Sequence, residues 1–219
     1  IIDHAIIRYG GSGTSGLIKV EDTAGNLTLT NSTLEHSAEC GVYSYTGQNL
    51  SILGNTIDDM ARYGIYISDN NADQPTGASI EIRNNVISNV GDSYHPIRII
   101  EGNDTGLTGV HWITGNVGMN NARNMISLYN DVDGNLALDA SNQMAWQLSL
   151  SVGAGDTLTL SPGAVVKMYS SISVSGGGLL DAQGTAAEPI VFTSVNDHEY
   201  GQGTTGTGNP EPGDWGYIR

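Results

Sequence analysis

Asn26-Leu-Thr-Leu-Thr-Asn-Ser-Thr-Leu34, Asn49-Leu-Ser-Ile-Leu-Gly-Asn-Thr-Ile57 and Ser79-Ile-Glu-Ile-Arg-Asn-Asn-Val-Ile87 superpose residue for residue. Their starts lie 23 and 30 residues apart. Each is followed by a second short apolar run, Gly41-Val-Tyr-Ser-Tyr45 and Gly64-Ile-Tyr-Ile-Ser68 being the clearest. One period therefore carries at least two strands separated by polar turns, which is the pattern of a solenoid.

Strands alternate inward and outward residues, and equivalent inward positions of successive rungs stack about 4.8 Å apart. The repeats then place Leu27, Leu50 and Ile80 in one column, Leu29, Ile52 and Ile82 in a second, and Leu34, Ile57 and Ile87 in a third. Between the second and third columns the chain turns at Ser32, Asn55 and Asn85, small polar side chains that can satisfy turn backbone on their own and the neighbouring rung. They are expected to form an internal polar ladder, with His4 at or beside it. Further rungs are expected from Ile1 to Val20, and from Val110 to Val117 with Met125 to Leu128.

Composition agrees with an array of short strands. The 219 residues include 30 glycines and only 14% charged residues, and helical periodicity is nowhere sustained. The net charge of -15 argues against nucleic acid and anionic membranes as partners, since cationic side chains drive both associations. No apolar run approaches the roughly 18 to 20 residues of a membrane-spanning helix, so membrane insertion is not expected. Cys40 is the only cysteine, which excludes a disulfide within the chain. The acidic, lysine-poor, Asn/Thr/Gly-rich composition suits an extracellular or cell-surface protein.

From about Trp146 the texture changes to Asp156-Thr-Leu-Thr-Leu-Ser-Pro-Gly-Ala-Val-Val-Lys-Met168, Gly184-Thr-Ala-Ala-Glu-Pro-Ile-Val-Phe-Thr-Ser194 and Gly213-Asp-Trp-Gly-Tyr-Ile218. Together with Ile1-Ile-Asp-His-Ala-Ile-Ile-Arg-Tyr-Gly-Gly11, these stretches resemble bacterial right-handed parallel β-helix repeat proteins. The resemblance implies an all-β, right-handed parallel β-helix of about eight to nine rungs with no substantial helix. It implies one module over residues 1–219, with Asn-rich rungs at 1–145, a second type of rung at 146–219 and a long loop at 195–214. In relatives the order of these motifs implies that this chain is cyclically permuted, so that the segment ending at Arg219 points towards one like Ile1 to Gly11.

These motifs diagnose architecture and not activity. Glu35, Asp58 and Asp59 follow equivalent core positions on neighbouring rungs, where paired carboxylates serve acid/base chemistry, ligand binding or Ca²⁺, or simply a solvated acidic turn. "NTIDDM" superficially resembles an acidic motif of polygalacturonases, yet no Gly-His-Gly or Arg-Ile-Lys follows it, and Arg83 or Arg98 lacks a calcium cluster to serve as a lyase base. The five histidines are dispersed without metal-ligand spacing, and Cys40 lies in no nucleophile motif. No catalytic residue and no enzymatic activity is expected.

Asp197, Glu199, Glu211 and Asp214 are the remaining candidate oxygen ligands for Ca²⁺, in a loop where relatives carry an Asp-x-Asn-x-Asp-Gly run and this chain has Gly201-Gln-Gly-Thr-Thr-Gly-Thr-Gly-Asn209. Asp69 to Ala78 forms a second long loop. Tyr43 and Tyr66 hold equivalent outward places and are candidates for packing on sugar rings, the bland alternative being stacking across rungs. Asn26, Asn31, Asn49 and Asn103 head Asn-x-Ser/Thr sequons, three of them on rungs. Edges for head-to-tail assembly with copies of the chain, covalent or not, are expected at Ile1 and Ile2 and at Trp215, Tyr217 and Ile218. The expected function is an extracellular structural module of a fibre, stalk or surface filament. A polysaccharide-binding adhesin is the first alternative, and a polysaccharide lyase or hydrolase the second.

Overall fold

A computed structural model describes residues 1–13, 15–21, 25–45, 49–68, 79–100, 111–132, 134–201 and 209–219. The loop at 69–78, Asn103 and the glycine-rich part of the loop at 202–208 lie outside these residues. The described residues contain strands and turns, without helix, and every strand pairing is parallel. Pairing always joins a strand to its equivalent one coil away, so the sheets run along the axis of a solenoid.

The first sheet stacks Ile2–Asp3, Asn26–Thr30, Asn49–Leu53, Ser79–Arg83 and His111–Thr114. The second stacks Ile6–Arg8, Thr33–Ser37, Thr56–Met60, Val86–Val90 and Val117–Met119. The third runs through eight coils, from Gly16–Glu21 by way of Cys40–Tyr45, Ile65–Ser68, Ile97–Ile100, Met125–Val132, Ala145–Val152 and Val165–Val174 to Val191–Ser194. The sixth to eighth coils replace the first sheet by Asn135–Leu138, Thr157–Leu160 and Leu179–Ala182. There the second sheet shrinks to a bridge between Val117 and Gln143, and the strands of the third lengthen.

The register reproduces the expected columns. Leu27 pairs with Leu50 and Leu50 with Ile80, Leu29 with Ile52 and Ile52 with Ile82, and Leu34 with Ile57 and Ile57 with Ile87. All nine side chains are buried, and burying each stabilises the fold by about 2 kcal/mol. Trp146 continues the core between Ile126 and Val166, its indole N–H donating to the Asp139 carbonyl at 2.9 Å.

The polar ladder is longer than the three superposed repeats suggest. The backbone N–H of Ser32 donates to Asn55 Oδ1, that of Asn55 to Asn85 Oδ1, that of Asn85 to Asn116 Oδ1 and that of Asn116 to Asn142 Oδ1, all at 2.9–3.1 Å. Each asparagine also donates Nδ2 back to an inward-strand carbonyl, of Leu29, Ile52, Ile82 and Ile113 in turn. At the first coil the place is taken by Ala5, whose N–H reaches Ser32 Oγ at 3.0 Å, so His4 stands beside the ladder and not in it. Immediately before the first five of these positions the backbone is left-handed, at His4, Asn31, Gly54, Asn84 and Gly115. Asn and Gly tolerate that conformation best, which explains their recurrence at this corner.

Candidate functional surface

The outward face of the third sheet carries the chain's main aromatic cluster. Tyr43 and Tyr66 are register partners on Cys40–Tyr45 and Ile65–Ser68, and their rings stack at 5.4 Å. Tyr63, just ahead of the second of these strands, stacks on Tyr66 at 4.8 Å and meets Tyr94 edge-on at 4.8 Å. Arg98, the register partner of Tyr66 on the next coil, donates to the Tyr63 hydroxyl at 3.3 Å and lies over the rings of Tyr63 and Tyr129. Tyr129 in turn meets Tyr169 at 5.5 Å. Stacking one ring per coil along the axis makes the tyrosines cover one another's faces. Tyr66 is covered by Tyr43 and by Tyr63, so the array turns mainly edges and hydroxyls outward, whereas sugar packing uses open faces.

A groove of about 290 Å³ opens beside this stack, lined by Tyr43, Tyr63, Tyr66, Tyr94, Glu39 and Arg62. Arg62 Nε pairs with Glu39 at 3.0 Å. Cys40 also borders the groove, but burial first, and the Glu39 carboxylate to a lesser degree, push its thiol up to about 11. The thiolate needed for nucleophilic attack is therefore disfavoured.

Glu35 and Asp58 are register partners on the outward side of the second sheet, as their spacing implies. Each already has a partner: Glu35 accepts from Arg8 at 2.8 Å, and Asp58 from Ser88 Oγ at 2.6 Å and Asn89 Nδ2 at 2.7 Å. Asp59 lies 2.7 Å from His36 Nδ1. The three carboxylates thus tie successive coils together through cross-coil hydrogen bonds.

In the loop after Val191–Ser194, Asp197 accepts from the Thr193 hydroxyl and the Glu199 amide, which in that order hold its carboxyl below the usual range. Asp214 accepts from Ser194 Oγ, the Glu211 amide and Asn196 Nδ2, and its carboxyl is likewise lowered, chiefly by the Ser194 hydroxyl. Both carboxylates are taken up in holding the turn after Ser194, and Asp214 also ties it to the turn at Glu211. Among the described residues no three His, Cys, Asp or Glu side chains are grouped to hold a metal ion. Trp215 packs against the core, while Tyr217 and Ile218 lie along the second half of Val165–Val174, with Ile218 bridging Ile172.

Residues 1–92 match the family model described as a right handed beta helix region. With the axial parallel sheets, that decides the architecture. The chain folds as a right-handed parallel β-helix. No curated protein and no solved structure matches it. Within this β-helix the sequence reading located Tyr43 and Tyr66 but not Tyr63, Tyr94 or His95 around them. Their signal was weak, because they precede the strands and fall outside the period-two alternation. No helix of the described residues is long and apolar enough to cross a membrane.

Proposed function

We propose that this β-helix is an extracellular structural module that stacks end to end into a fibre, stalk or surface filament. The observation that carries this reading is the burial of its inward columns. They are covered in the middle coils, yet only partly covered at Ile2, Ile7, Leu17 and Ile18 in the first coil and at Leu180, Ile190 and Phe192 in the last. A further coil on either end, from the same chain or from another copy, would bury that apolar surface and pair the outermost strands. The cross-coil bonding of Glu35, Asp58 and Asp59 and the mutual stacking of the tyrosines support a mechanical role, because these groups act between coils.

Electron microscopy and sedimentation of the chain over a range of concentrations test the proposal. Rods lengthening in steps of roughly 40 Å are expected, eight coils at about 4.8 Å each. Compact monomers at every concentration overturn stacking by the chain itself.

The tyrosine-lined groove favours a second reading, a polysaccharide-binding adhesin. Retardation of the protein in polysaccharide-containing gels, abolished by Tyr43→Ala, would support it. A lyase or hydrolase reading has less support, and depolymerisation lost in Asp58→Ala or Asp59→Ala would be its signature.

A further inference from the structure

Arg98, Ser127, Gln147 and Lys167 occupy register-matched outward positions on four successive coils of the third sheet. His95 lies beside them, its ring parallel to that of Tyr63 at 6.4 Å. Ser127 and Lys167 are 0% exposed, His95 1% and Gln147 6%. Arg98 Nε and Ser127 Oγ are buried without a hydrogen-bond partner, and the His95 ring nitrogens and Gln147 Oε1 make no well-formed hydrogen bond although the His95 ring and the Gln147 amide lie close enough to interact. Folded proteins leave few such atoms, and several in one place mark a site suited to a polar ligand or to ordered solvent.

The charges distinguish these occupants. Acidic residues outnumber basic ones 23 to 8, and Arg8, Lys19, Arg62 and Arg83 each pair with a carboxylate. Arg98, Arg123 and Lys167 form none of the ion pairs among the described residues. Arg98 has the Tyr63 hydroxyl and two aromatic rings, and Lys167 Nζ donates to the Asp197 carbonyl at 2.5 Å. Arg123 is close enough to act on His95. Arg98 and Arg123, cations outside any of these ion pairs in so acidic a chain, lie beside buried unpartnered donors and call for an anion, whereas Lys167 already has the Asp197 carboxylate near it.

We propose that the outward face formed by His95, Arg98, Ser127 and Gln147 binds a small carboxylate anion. Arg98 Nε–H, the Ser127 hydroxyl and one His95 N–H are its donors, and a half-turn of the Gln147 amide supplies another. A bound carboxylate satisfies these atoms and neutralises Arg98 without disturbing the core behind the sheet.

Thermal unfolding of the chain in sodium formate, against sodium gluconate at the same ionic strength, tests this. Formate is small enough for an enclosed site and gluconate is not. A saturable rise in melting temperature is expected in formate alone, about 5 to 10 °C at a hundred times its dissociation constant. Arg98→Met should abolish the rise. Should that variant fail to fold, Ser127→Ala carries the test, since it removes only a hydroxyl and should weaken the formate response at least threefold. Equal melting temperatures in the two salts overturn the proposal. So does an undiminished formate response in Ser127→Ala and, where it folds, Arg98→Met, which would mark solvent-filled polar packing with the anion bound elsewhere.

Discussion

Asn85 Oδ1 accepts both the backbone N–H of Asn55 at 2.9 Å and its Nδ2 at 3.0 Å, while Asn85 Nδ2 donates to the Ile52 carbonyl and to Asn116 Oδ1. Replacing Asn85 by Ala would leave the buried N–H of Asn55 and one of its Nδ2 hydrogens without their acceptor and would take the Nδ2 donor away from the Ile52 carbonyl, while Asn116 Oδ1 would keep the backbone N–H of residue 85. Asn85→Ala is therefore expected to cost about 3 kcal/mol or more in urea denaturation. Asn49→Ala, at an exposed asparagine pair outside the ladder, should cost about 0.5 kcal/mol or less. Equal losses for the two would refute the ladder's special weight.

Ser44 points inward between Val20 and Ile67, fully buried, and its hydroxyl has no partner. Removing such a group relieves a desolvation penalty. Ser44→Ala should raise stability by about 1 kcal/mol in the same assay.

Gly64 is a close-approach position with an ordinary backbone conformation. An added Cβ would lie 2.7 Å from the Pro96 carbonyl oxygen and 2.5 Å from Ile87 Cγ2. The Pro96 oxygen also accepts the Ile65 N–H at 2.8 Å and has little room to retreat. Gly64→Ala should cost about 1 to 3 kcal/mol, whereas Gly134→Ala meets no atom but adopts a positive φ and should be destabilising through backbone strain instead. Comparing the two melting temperatures, with a Gly64→Ala structure showing a displaced third sheet, checks the distinction.

Burial, followed by the charges of Arg98 and Arg123, pushes His95 from its ordinary 6.5 down to about 4, against a small opposing effect of Gln147. Between these values the unfolded chain binds more protons than the folded one. Stability attributable to His95 is therefore intact above about pH 6.5, falls as the pH drops towards 4 and is level below that. The loss should be on the order of 3 kcal/mol. Urea denaturation across this range in gluconate buffer should show it in the wild type and not in His95→Gln.

The core columns and the start of the ladder were legible because the same residue type recurs at the same register position. Leu29, Ile52 and Ile82 need only a common phase to be recognised as one column. The extension of the ladder to Asn116 and Asn142 was signalled by Gly115-Asn116, which matches Gly54-Asn55, but the following coils depart in length and hide it. The shrinking of the second sheet to Gln143 left no periodic trace. His95, Arg98, Ser127 and Gln147 were illegible as a group for a related reason. Four different residue types come together across three coils, and only the pairing of Arg98 with Ser127 and of Ser127 with Gln147 makes them neighbours.

Asn55, Asn85 and Asn116 each point the backbone N–H and one Nδ2 hydrogen towards the following coil and turn Oδ1 to the preceding one. The amides are thus aligned head to tail, giving the solenoid a chemical polarity as well as a shape. A coil inserted backwards would set donor against donor, and a twofold-symmetric dimer could not continue the row. Any growth that extends the ladder must run in one sense, with unlike ends meeting.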